Sequence, residues 1–137
     1  MNHLAHALIA VRTGTSIVGN LMGDFVKGRP EERYGGELLR GIRLHRAVDA
    51  FVDAHAAFAR SRARFDGAHR RWSGILVDLG YDHVLARRWE ELGEGTLRSF
   101  ADRVYVEVEE ARLTHPDRIR GLVVARARMR RCGMLLR

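Results

Sequence analysis

Residues 37–59 read ELLRGIRLHRAVDAFVDAHAAFA, and this stretch decides the fold class. Leu38, Ile42, Val52 and Ala56 return at steps of three and four, the spacing that lines up side chains on one face of an α-helix. His45 and Asp49 fall between them on the same face. The stretch 73–92, SGILVDLGYDHVLARRWEEL, repeats the pattern: Ile75, Leu79, Leu85 and Trp89 share a face with Asp78 and Asp82. Ser73 is the expected N-cap there, and Gly93 the expected stop. Working outward, residues 3–11 predict a short opening helix and 16–27 a second. Another is expected from Thr96 to Leu113, and a further one after Pro116 with Asp117 near its start. Lys27-Gly28-Arg29-Pro30 marks a break, followed by a polar loop to Gly36. Strand-like alternation is scarce, so the expectation is an all-α helical bundle forming one domain over residues 1–137.

The length and charge narrow the class further. A chain of 137 residues, 46% hydrophobic and 30% charged, fits a globular domain and argues against wholesale disorder. Its formal charge of +7 suggests nucleic acid until the charge is located. Residues 1–110 hold 16 basic and 16 acidic residues, whereas 111–137 hold eight arginines against one acid, Asp117. The excess therefore belongs to the C-terminal segment. All basic residues are arginine except Lys27. The single cysteine, Cys132, excludes an internal disulfide framework and fits a reducing cytoplasm. The opening MNHLAHALIAVRTGTS lacks the basic start of a signal peptide. No apolar run approaches the roughly 20 residues of a membrane span.

Histidines and aspartates on apolar faces are the anomaly. His45 with Asp49, and Asp78 with Asp82, are spaced i,i+4 on core-facing stripes. Burying such charge costs several kcal/mol unless something compensates. A divalent cation would: imidazole with carboxylate suits zinc, manganese or iron, and carboxylate with water suits magnesium or manganese. Asp24, after the small Gly23, and His6 on the opening helix are candidates to complete the shell, and Asp82-His83 is an adjacent acid–imidazole pair. The plain alternative is neutralisation by arginine, Arg43 and Arg46 on one helix and Arg87 and Arg88 on the other. Arg43 and Arg46 are equally candidates for a bound phosphate, whose geometry a guanidinium fork matches. His55, His69 and His115 have solvent-facing contexts. Gly14–Gly23 lacks the ending of a P-loop, and neither G-x-S-x-G nor zinc-finger spacing occurs.

Four blocks carry a resemblance: MNHLAHALIA at the start, GNLMGDFVKG (19–28), GIRLHRAVDAFVDAH (41–55) and LVDLGYDHVLARRW (76–89). In order and spacing they resemble the acyl carrier protein phosphodiesterases, a divergent branch of the HD-type metal phosphohydrolases. The resemblance implies an all-α HD-like fold, a divalent metal of manganese type, and hydrolysis of the phosphodiester joining 4′-phosphopantetheine to a serine of holo-acyl carrier protein. It implies His6, Asp24, His45, Asp82 and His83 as the metal set. Asp24, Asp49 and Asp78 become the catalytic or orienting carboxylates, and Arg43 and Arg46 the groups that hold the diester. His3 stands where the family usually has an aromatic or other apolar side chain, either as a packing substitution, the preferred reading, or as an extra ligand. Family members usually continue beyond the end seen here, so a chain incomplete at its C-terminus, lacking the last helices, is expected.

Three rival readings fit the same residues. One is an HD-type enzyme acting on a nucleotide or other small phosphodiester, and another an inactive shortened relative. The third is a helical module that binds nucleic acid through its terminal arginines; that tail has no aromatic stacking residues, so nucleic acid is not the expected partner. An acidic carrier protein would match a basic surface such as Arg60, Arg62, Arg64, Arg70 and Arg71, though a solvated loop explains that run equally.

Overall fold

In the computed structural model, which describes residues 3–117 and 119, seven α-helices follow one another. They are α1 (His3–Arg12), α2 (Ile17–Met22), α3 (Gly36–Ala54), α4 (Ala56–Arg62), α5 (Ser73–Arg87), α6 (Trp89–Leu92) and α7 (Leu97–Thr114), with 3₁₀ turns at Pro30–Glu32 and Gly67–Trp72. No strand occurs among the described residues, so the class is all-α. The helix expected after Pro116, together with Cys132, lies outside the described residues.

The innermost element is α2. All six of its residues are buried, and Ser16 caps it by accepting the Gly19 N–H at 2.9 Å. A helix this short has little intrinsic stability and depends on packing. Two glycines allow that packing. A Cβ on Gly19 would lie 2.6 Å from the Leu38 carbonyl oxygen, and one on Gly41 would lie 2.6 Å from the Asn20 nitrogen. The backbones of α2 and α3 therefore cross in direct contact. Around them Leu4, Ala7, Leu8 and Ala10 of α1 join Ile17, Val18, Leu21 and Met22 of α2, Ile42 of α3, Trp89 of α6, and Phe100 and Val108 of α7. Burying each large apolar side chain contributes roughly 1.5–3 kcal/mol. Trp89 packs against Phe100 with ring centroids 4.7 Å apart and planes inclined by 49°, and Gly93 follows α6 where any Cβ would strike the Trp89 ring.

Several boundaries differ from expectation. The helix expected over 16–27 ends at Met22, where the chain turns beneath α3. The stretch 37–59 breaks at His55, which adopts extended backbone and whose Nδ1 accepts the Ala57 N–H, so it closes α3 and caps α4. The stretch 73–92 breaks at Arg88 into α5 and α6. Ser73 is not the cap of α5. It is the first helical residue, buried, and its Oγ accepts from Arg62 Nε at 3.3 Å. Ile75 points outward, 57% exposed, while Val77 is the buried apolar residue of α5. Thr96 caps α7 as expected, accepting the Ser99 N–H at 3.0 Å.

Candidate metal centre

The site assembles where α1, the turn after α2, and α3 meet. On α1, the 3.6-residue period places His6 among Leu4, Ala7 and Leu8, and it is fully buried. On α3, His45 is 2% exposed and Asp49 lies one turn further along. His6 Nε2 lies 3.1 Å from one oxygen of Asp49, and His45 Nε2 lies 3.0 Å from the other. His45 Nε2 also reaches Asp24 at 3.3 Å, and His3 Nδ1 approaches the same carboxylate at 3.9 Å. The two buried imidazoles are stacked, with centroids 3.9 Å apart and planes inclined by 15°. Their Nδ1 atoms are buried without a hydrogen-bond partner among the described residues, so each ring acts through Nε2.

The electrostatics follow from this packing. Burial pulls the His45 imidazole towards its neutral form, but hydrogen bonds to Asp24 and Asp49 outweigh it and lift the pKa to about 9. Burial works against the Asp49 carboxylate as well, yet the two imidazole bonds hold it well below the usual carboxylate range. Asp24 is lowered too, burial again being overcome by the bond to His45. His3 is lowered, chiefly by burial.

Gly23 fixes the His45 ring. A Cβ at position 23 would fall 2.1 Å from the ring carbon Cγ, so only glycine lets the imidazole lie against the end of α2. Beside the ring, an open recess of about 450 Å³ is lined by Asp24, His45, Asp49, Lys27 and Arg46.

One ligand atom from each of His6, His45 and Asp49 lies within 4.8 Å of the others, the span a single cation would bridge. Two buried imidazole nitrogens and a half-buried carboxylate converge to form a donor set suited to a borderline divalent metal. The structure brings these three together, with Asp24 hydrogen-bonded to the group.

The chain matches the acyl carrier protein phosphodiesterase family over residues 1–133. It belongs to that family. The acyl carrier protein phosphodiesterase of Pectobacterium atrosepticum is 40% identical over 123 residues, covering 89% of this chain and 64% of that relative. The Photorhabdus laumondii relative of the same name is 41% identical over 92 residues, covering 67% of this chain and 46% of its own length. An Escherichia coli relative is 38% identical over 92 residues, covering 67% and 48%. The chain thus spans 64% of the first relative and about half of the other two. No solved structure matches it.

The remaining residues from the acyl carrier protein phosphodiesterase blocks are placed apart from the three ligand atoms. Asp82 lies on α5 but turns to the start of α1, where its two oxygens accept the Leu4 and Ala5 N–H groups at 3.1 and 3.2 Å. It caps the helix that carries His6. Burial raises its carboxyl, with the two backbone bonds opposing. Asp78 is half-buried one turn earlier, and burial raises its carboxyl as well. His83 is exposed, as are His55, His69 and His115. Arg43 pairs with Glu31 at 2.6 Å. Arg46 donates to the backbone carbonyls of Gly28 and Val26, at 3.0 and 2.8 Å. Two contributors escaped the sequence: Gly23 as the seat of an imidazole, and Lys27 as a cation in the recess. The lone lysine was the only available signal for the second.

Proposed function

We propose that this chain is a metal-dependent phosphodiester hydrolase that removes 4′-phosphopantetheine from holo-acyl carrier protein, giving the apo-protein. The observation that carries it is the convergence of His6 and His45 Nε2 on Asp49 beside an open recess, in a chain of this family. His6, His45 and Asp49 would hold the cation, with Mn²⁺ the proposed metal. When bound, such a cation lowers the pKa of a coordinated water and neutralises charge on the phosphoryl oxygens.

The chain's own residues do the rest. Gly23 and Asp24 set the His45 ring from two sides. Asp24, 43% exposed at the recess and ionised, is the carboxylate that meets the substrate and accepts the proton of the attacking water. Asp82 fixes α1 and with it His6. Asp78, half-buried one turn before Asp82, and His83, exposed, stand outside the proposed ligand set. The reducing cytoplasm, to which the single cysteine points, is the proposed compartment. No helix of the described residues is long and apolar enough to cross a membrane.

The test is incubation with holo-acyl carrier protein, with and without Mn²⁺, followed by intact mass measurement. Loss of the phosphopantetheine mass only with metal is the expected result. An Asp24→Ala variant should lose about a hundredfold in rate; full activity would sink the assignment of Asp24. Folded protein that binds Mn²⁺ yet leaves the carrier protein intact would favour a small phosphodiester as substrate.

A further inference from the structure

We propose that Lys27 is the cation that receives the substrate's phosphate beside the His6–His45–Asp49 group, and that Arg46 is a positioning residue holding Lys27 there. The inference rests on the phosphodiesterase reading and assigns its anion site to a residue other than the arginines on α3.

Arg43 is committed to the Glu31 carboxylate at 2.6 Å, so its charge is already paired. Arg46 borders the recess, yet its guanidinium donates to the carbonyls of Val26 and Gly28. Those carbonyls flank Lys27 on either side. The clamp fixes both peptide neighbours of the lysine, and Gly28, at φ +72°, supplies the left-handed turn that the clamped loop requires. Val26 is anchored in the core at 5% exposure, which ties the other end of the loop. Lys27 itself is exposed in the recess lining and makes no ion pair within the described residues. A lysine ammonium is a compact charge with three donors, suited to the non-bridging oxygens of a phosphodiester. Asp24 and Asp49 line the same recess and by themselves disfavour an anion; the Lys27 ammonium in that lining supplies the attraction that lets one enter.

Lys27 is the only lysine in the chain, which makes the test direct. Lysine acetylation by an amine reagent would be followed by mass spectrometry of the Lys27 peptide, with inorganic phosphate or with chloride at equal ionic strength. Phosphate should slow labelling of Lys27 several-fold relative to chloride, and Arg46→Ala should remove that protection while the protein stays folded. In turnover, Lys27→Ala should lower kcat/KM by about 10- to 100-fold with Mn²⁺ affinity unchanged, and Lys27→Arg should restore most of it. Absent protection, or Lys27→Ala turning over like wild type, overturns the proposal. Intact protection in a protein that hydrolyses no phosphodiester would instead overturn the phosphodiesterase reading and leave the anion site standing.

Discussion

His45 sits between two carboxylates, and that arrangement sets how the protein responds to pH. Its folded pKa is about 9 against an ordinary 6.5. The stabilisation from its bonds to Asp24 and Asp49 is therefore complete below 6.5 and disappears as pH rises through about 9. Asp24 and Asp49 lie below their ordinary 3.8, so their contribution is present above that value and lost as pH falls. Metal-free protein should have its highest Tm between about pH 4 and 6.5 and lose stability towards pH 9. A thermal scan in chelator with a level Tm across the alkaline limb would contradict this. Mn²⁺ must displace the same proton, so the Tm increase it causes should grow with pH over that limb. Gly23→Ala isolates the imidazole's seat. The backbone there is right-handed helical (φ −51°, ψ −37°) and accepts alanine, so only the contact with His45 suffers. The expected cost is about 1–3 kcal/mol of stability and at least about tenfold in Mn²⁺ affinity, read by denaturation and calorimetry.

At the scale of the helix, Asp82 and Asp49 look alike in sequence and differ in duty. Asp49 faces two imidazoles; Asp82 faces the first amides of α1. Asp49→Asn should therefore abolish tight Mn²⁺ binding, whereas Asp82→Asn should keep it and destabilise the fold by about 1 kcal/mol through a weakened cap. Equal losses of Mn²⁺ affinity in the two variants would return Asp82 to the metal set. The i,i+4 spacing of His45 and Asp49 was legible because both lie on one helix, where spacing fixes geometry. Asp82's partners are backbone N–H groups 77 and 78 residues away, which carry no side-chain signature. His83 follows Asp82 directly, but one residue on a helix turns the side chain by about 100°, and it emerges in solvent. The break at His55 was hidden for a similar reason: Ala54-His55-Ala56 contains no glycine or proline, and the imidazole itself supplies the cap.

For the molecule as a whole, the seven excess positive charges fall outside the described core. Residues 3–117 hold 17 basic and 17 acidic side chains, so the helices that build the site form a neutral body. Family and helical class were both readable from the blocks and their period; the crossing that joins them was not, since Gly19 and Gly41 show their purpose only when the two backbones meet. Hydrogen exchange should find the slowest amides in α2 and the part of α3 around Gly41, and fast exchange in α4 and the 67–72 turn, whose residues are mostly exposed. Comparable rates across all four would count against this picture. With no layer of side chains between α2 and α3, that pair has nothing soft to slide upon or rotate against. The residues at its end, Asp24, His45 and Asp49, are thereby held in place before any ligand arrives. Mn²⁺ uptake should then register as protons released to the buffer, with α2 and α3 as well protected from exchange before it as after.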